Sequence, residues 1–101
     1  MIREQIELKL KAALQPVYLK IVDESYRHNV PAGAESHFKV IIVSEKFSQQ
    51  SILARHRLVY GILAAELAGA IHALALHTYS VAEWGASPKT IPASPLCKNI
   101  V

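Results

Sequence analysis

Five histidines and one cysteine are the side chains in these 101 residues best suited to chemistry: His28, His37, His56, His72, His77 and Cys97. Neutral imidazole is a good ligand for borderline metals and titrates near physiological pH. A thiol becomes a nucleophile only when a neighbouring base or charge depresses its pKa. Cys97 stands in a proline-rich stretch that offers neither, so it reads as inert. No Gly-rich phosphate loop, HExxH helix, CxxC pair or Ser-centred nucleophile elbow occurs. An enzyme is therefore the least supported class, and histidine ligation is the chemistry left to weigh.

The histidines differ in setting. His28 and His37 bracket a stretch in which Pro31 and Gly33 impose a turn between two strand-like runs, the kind of loop that carries binding groups on a rigid scaffold. His37, at the entry of the second of those strands, also suits a hydrogen bond to the preceding loop. His56, in ARHRLVY, lies near the buried stripe of a helix and reads as a satisfied structural histidine. His77 shares a strand face with Ala73 and Ala75 and reads as solvent-facing. His72 opens the third strand after a helix-to-strand turn, on the side of Leu74 and Leu76, where one side of the ring stays accessible. A metal site shared between a loop histidine and a strand-end histidine is one reading, separately packed structural histidines the other, and spacing alone leaves both open.

The elements that must position these side chains follow from periodicity. Ile2, Ile6, Leu10 and Ala13/Leu14 recur at helical spacing, predicting an amphipathic helix stopped before Pro16. VYLKIVDES alternates, with Val17, Leu19 and Ile21 on one face and Tyr18, Lys20 and Val22 on the other, as a half-buried strand does. SHFKVIIVS alternates again, setting Phe38, Val40 and Ile42 against His37, Lys39, Ile41 and Val43. From Ser51 to Ala68 the pattern turns helical, with a stripe through Ile52, Val59, Leu63 and Ala70 and with Arg55, Arg57 and Glu66 off or beside it. Gly61 weakens that helix, and Gly69 sits where it should stop. IHALALHTYS is a third strand, and Ser80 with Glu83 spells a capping box for a short last helix.

The order is helix, strand, strand, helix, strand, helix. The crossover from strand two to strand three should be right-handed and make those strands parallel. The expectation is an α+β, class II KH-like fold whose three-stranded mixed sheet is covered by helices on one face and largely open on the other. Residues 1–86 form the domain, and residues 87–101, with three of the five prolines and no acidic residue, form a loosely attached tail.

Composition agrees with one domain: 51% hydrophobic residues and mean hydropathy +0.22 supply a core. The net charge of +3 and pI near 9.2 permit weak attraction to nucleic acid without demanding it. A lone cysteine excludes an internal disulfide and suits a reducing compartment. The opening MIREQIELKLKAAL lacks the apolar core of a signal peptide, and ILAAELAGAIHALAL is interrupted by Glu66, Gly69 and His72, so the expectation is a cytoplasmic protein with no membrane association.

DESYRHNVPAGAESHFKV, FSQQSILARHRLVYGILAAEL, IHALALHTYS and ASPLC together resemble the BolA family, in particular its bacterial members, along nearly the whole chain. The joint occurrence of these blocks is specific, whereas the RHR triplet alone is weak. After Phe47 the family often has Phe-x-Gly where this chain has Phe47-Ser48-Gln49, which bears on the turn before the helix.

The resemblance implies an adaptor that joins a monothiol glutaredoxin and shares a two-iron two-sulfur cluster with it. Glutaredoxin and glutathione would supply thiolates, and the family's two histidine positions fall on His28 and His72. Imidazole in place of thiolate lowers the cluster's negative charge, raises its potential and makes ligation sensitive to protonation. The isolated chain is expected to hold no cofactor, and pairing of two copies into a homodimer stays open. The alternative implied function is a DNA-binding transcriptional regulator of stress response and cell morphology, in which Lys39, Arg55 and Arg57 would contact phosphates of double-stranded DNA. An ordinary solvated helix face is the competing reading of the two arginines. No GxxG clamp of the RNA-binding KH type occurs.

Overall fold

The computed structural model describes residues 2–24 and 37–86. Helix α1, Ile2–Leu14, buries Ile6, Leu10 and Leu14, the stripe expected from the spacing. It ends ahead of Pro16 through Gln15, which adopts a left-handed φ of 41° and donates Nε2 to the Ala12 carbonyl at 2.7 Å. Strands β1, Tyr18–Asp23, and β2, His37–Val43, pair antiparallel, with Ile21 opposite Val40. Strand β3, Ala73–Tyr79, pairs parallel with β2, with His37 opposite Ala73 and Val43 opposite Tyr79. The order β1-β2-β3 makes the mixed three-stranded sheet that the crossover argument requires.

One sheet face carries Phe38, Val40, Ile42, Ile21 and Leu76 into a single core with Ile6, Leu10 and Leu14 of α1 and with Phe47, Val59 and Leu63. The helical run expected from Ser51 to Ala68 is two helices, α2 at Ile52–Ile62 and α3 at Ala64–Ala68, joined at Leu63. Ser51 caps α2 by accepting from the Ala54 N–H at 3.0 Å, and Gly69 closes α3 as expected. Val59 and Leu63 keep their places on the buried stripe, but Ile52 and Ala70 are exposed. Arg55 and Glu66, placed off or beside the stripe by the sequence, are buried instead, at 4% and 7% exposure. Each is held by an opposite charge, which is how a charged group tolerates burial. For Glu66 the partner is Lys9 of α1, at 2.8 Å.

The second sheet face is closed at one end by helix α4, Val81–Ala86. Trp84 stacks on Tyr18 with ring centroids 5.2 Å apart and tilts against Tyr79 at 5.2 Å, spanning the two outer strands on either side of Val43. The capping box forms as predicted: Glu83 N–H donates to Ser80 Oγ at 3.2 Å, and Ser80 N–H to Glu83 Oε1 at 2.8 Å. Buried Ser44 ties three elements together, its Oγ donating to the Leu14 carbonyl at 2.7 Å and its N–H to the Tyr79 carbonyl at 3.0 Å.

The turn between β2 and α2 resolves the departure at Gln49. A 3-10 turn at Glu45–Phe47 leads into Gln49 with φ 63°, the left-handed conformation that glycine adopts without cost. The backbone path suits a glycine, and this chain follows it with a glutamine.

Candidate functional site

Parallel pairing of β2 with β3 brings the entries of both strands to one mouth of the sheet. His37 is the first residue of β2, and His72 immediately precedes β3 in a bend. Their rings meet edge to face, centroids 6.0 Å apart and planes at 81°. His72 is exposed, as its position at a strand entry predicted, while His37 is half-buried. The backbone carbonyl of His37 accepts from the Glu24 N–H at 2.7 Å, which fixes the entry of β2 against the exit of β1. His37 is thus the histidine that the sequence reading undervalued. The parallel register that places it beside His72 becomes visible only once the crossover from β2 to β3 is recognised.

His28 lies outside the described residues, as does Cys97. Among the described residues no three His, Cys, Asp or Glu side chains group closely enough to hold a metal ion. At the mouth the exposed imidazole is that of His72, with the half-buried His37 ring against it. An exposed imidazole fits a group that takes one nitrogen ligand here and its remaining ligands from elsewhere.

The other two histidines are apart from this mouth. His56 on α2 packs edgewise on Tyr60, with centroids 6.4 Å apart, and burial, followed by the nearby Arg55 charge, lowers its pKa. His77 shares the face of Ala73 and Ala75 as expected, yet it is only 7% exposed, which corrects its reading as solvent-facing. Its Nε2 is buried without a hydrogen-bond partner. Burial lowers its pKa most; Lys39 and His56 lower it further, against an opposing effect of Glu24.

The three residues expected to contact phosphate do not share a surface. Arg55 is buried: Nε donates to the Gln50 carbonyl at 3.0 Å, Nη1 to the Thr78 carbonyl at 3.1 Å, and Nη1 and Nη2 fork onto the Glu83 carboxylate at 2.7 and 3.0 Å. A guanidinium so engaged is not presented to a phosphate, and the expectation for Arg55 is corrected. It is equally not part of a solvated helix face. Glu83 is pulled down to about 2 by this fork and by the Ser80 N–H. Lys39 projects from the sheet face opposite α1 and α2, 15% exposed and 3.9 Å from the Glu24 carboxylate. Arg57 alone stands exposed on α2, on a turn that also exposes Leu53 and Tyr60.

Among the described residues no helix is long and apolar enough to cross a membrane.

Comparison with known proteins places this architecture. Residues 10–83 match the family described as BolA-like protein. The chain is 60% identical over 99 residues to the DNA-binding transcriptional regulator BolA of Escherichia coli (strain K12), covering 98% of this chain and 94% of that one. Among solved structures it is similar to the BolA1 protein of Mus musculus, with TM-score 0.82 and 44% identity over 97% of this chain and 79% of that one. It is also similar to the BolA domain of SufE1 from Arabidopsis thaliana, with TM-score 0.76 and 39% identity over 81% of this chain and 94% of that domain. From the helix-flanked mixed sheet to the sequence matches, these observations establish that the chain belongs to the BolA family.

Proposed function

We propose that this protein is an adaptor that binds a monothiol glutaredoxin and shares a two-iron two-sulfur cluster with it, in iron and redox homeostasis. The observation that carries the reading is the exposed imidazole of His72 at the strand mouth, with the His37 ring beside it. An imidazole on a rigid strand entry is a positioned ligand, because the sheet holds the backbone while the ring remains reachable. His72 supplies one ligand from this chain and His28 the other; thiolates of glutaredoxin and glutathione complete the set. When bound, the cluster supplies one-electron chemistry, at a potential that imidazole ligation raises relative to all-thiolate ligation. Two histidines do not close such a site, so the partner is integral to this reading.

Co-purification with monothiol glutaredoxins under anaerobic conditions, followed by visible absorption and iron counting, tests the proposal. Cluster absorption with two irons per heterodimer is the expected result. Glutaredoxin that elutes separately, or a complex without iron, would overturn it.

A second reading, DNA binding, is favoured by one specific observation: a relative 60% identical over nearly the whole chain is named a DNA-binding transcriptional regulator. Of the three residues expected to contact phosphate, Arg57 is the one exposed on α2, where it can meet a phosphate. Lys39 faces the other side of the sheet, so a duplex contacted through α2 would not reach it in the same footprint. Measurable duplex affinity with a steep salt dependence is the outcome this reading requires.

A further inference from the structure

We infer that the outward face of α2, continued onto α3, is an interface on which two copies of this chain pair through an antiparallel, two-fold symmetric helix contact. This goes beyond both readings above, neither of which involves a second copy.

The stripe follows from which side of α2 the core takes. Arg55 and Val59 turn inward, so the residues opposite them face solvent: Leu53 is 59% exposed and Tyr60 42%, with exposed Arg57 between them and exposed Ala64 one turn further on. Helical hydrogen bonding runs through the junction with α3, from the Leu63 N–H to the Val59 carbonyl at 3.0 Å and from the Leu67 N–H to the Leu63 carbonyl at 2.9 Å. Ala64 therefore stays on the same stripe. Steps of four, three and four residues separate Leu53, Arg57, Tyr60 and Ala64. That is the spacing of the seam along which two helices pack side by side. A helix that already buries one side in its own core and exposes a second apolar stripe presents an interaction surface.

The order of the four residues selects the partner. In an antiparallel pair related by a two-fold axis the seam positions meet in reversed order, and each contact occurs twice. With the axis between the levels of Leu58 and Val59, Leu53 meets the second copy's Ala64 and Arg57 meets the second copy's Tyr60. Large thus faces small in the outer layers, and a cation faces an aromatic ring in the inner ones. His56 lies edge to face on Tyr60, 6.4 Å between centroids, and braces that ring. Gly61 flanks the seam, and a Cβ there would meet nothing within 4 Å, which leaves the second helix room for close approach. No acidic residue stands between Glu45 and Glu66 in the sequence, and Glu66 is buried on Lys9, so the counterpart of Arg57 in the second copy is the ring rather than a carboxylate. The two Arg57 side chains approach each other across the axis at the rim of the contact, where water and salt screen like charges. Pairing also covers Arg57, so a second copy and a DNA phosphate compete for this face.

The test uses the full chain alone. Sedimentation velocity from about 10 μM to about 1 mM should show reversible exchange between monomer and dimer, since four seam layers make a small contact. Leu53→Ala leaves a hole opposite Ala64, and Ala64→Leu a clash opposite Leu53; each should weaken the dimer roughly tenfold. Combined in one chain, the two exchange large and small across the same layer and should bring dimerisation back to within about threefold of wild type, a recovery that a general loss of surface hydrophobicity does not give. Leu8→Ala, which trims a side chain 72% exposed on α1, should leave the dimer unchanged. Every substituted side chain is exposed, so the variants should melt like the wild type. Rising salt should tighten the dimer by screening the two Arg57 charges, opposite to its effect on duplex affinity. A wild-type chain that stays monomeric throughout the range, including one whose stripe takes up duplex DNA instead, would overturn the interface, as would a double variant that dimerises no better than the single ones.

Discussion

Arg55 of α2 and Glu83 of α4 form a forked ion pair, Nη1 to Oε1 at 2.7 Å and Nη2 to Oε2 at 3.0 Å, with the guanidinium buried and the carboxylate about half exposed. The same guanidinium holds the Thr78 and Gln50 carbonyls, and the same carboxylate caps α4 through the Ser80 N–H. One charge pair therefore locks the last helix to the core-facing side of α2 and positions Trp84 over Tyr18 and Tyr79.

Removing the charge on Glu83 should expose the value of this lock. Its pKa, depressed to about 2, means that the native state favours the carboxylate; the stabilisation is present above about pH 4.5 and is lost as pH falls through about 2. Because the carboxylate is 48% exposed, solvent screening reduces the effect below what the shift alone implies. Glu83→Gln should cost about 1–2 kcal/mol at pH 7 and much less near pH 2, read from urea melts at both pH values. Arg55→Ala should cost more, about 3 kcal/mol, because it removes a buried guanidinium together with its fork onto Glu83 and its bond to the buried Thr78 carbonyl. Equal melts for wild type and Glu83→Gln at pH 7 would remove the pair as a stabilising feature.

Gln49 sits in a left-handed conformation with φ 63°. Gln49→Gly should stabilise the fold by about 1 kcal/mol, since the conformation costs a side-chain-bearing residue roughly that much. Gln49→Ala keeps the strain and should not stabilise. A thermal melt comparing the three proteins decides the point, and a destabilised Gln49→Gly would show that the turn is not strained.

The buried His77 should make stability fall in mild acid. Its pKa is lowered by burial, so the unfolded chain takes up a proton where the folded one does not; stability is full above about pH 6.5 and declines as pH drops towards the folded value. His56, lowered for the same leading reason, adds to the slope. His77→Leu should flatten the decline between about pH 7 and pH 5, and should gain about 1 kcal/mol at neutral pH by removing an unpartnered buried nitrogen. An unchanged pH slope would place the titration elsewhere.

The elements were legible in the sequence wherever a period repeated: α1 from Ile6, Leu10 and Leu14, the two alternating strands, and the Ser80/Glu83 box. What alternation could not convey was coverage. Ile41, Val43 and His77 share the expected outer face, yet all are buried. Arg55 looked like a surface residue because a helix wheel scores charge as solvent-facing, whereas its partner Glu83 lies 28 positions away on another helix. The histidine pair was half legible for the same reason. His72 declared itself by its place at a strand entry, but its neighbour His37 is 35 positions distant and joins it only through the parallel register.

For DNA, Arg57→Ala should weaken duplex binding evenly across sequences and reduce the salt slope by about 1, as loss of one phosphate contact does. Arg55→Gln, provided it folds, should leave that slope unchanged because the wild-type guanidinium is buried. Fluorescence anisotropy over a salt series measures both. An Arg55 variant that loses as much slope as the Arg57 variant would contradict the geometry.

The most direct measurement of the account is the cluster content of the glutaredoxin complex made with His72→Ala. The variant should melt like the wild type on its own, because His72 is exposed and its loss removes no core packing. It should still bind glutaredoxin, and it should lose the shared cluster's visible absorption and iron. A His72→Ala protein that folds normally and forms a complex with wild-type iron content and spectrum would contradict the assignment of His72 as a ligand, and with it the proposed function.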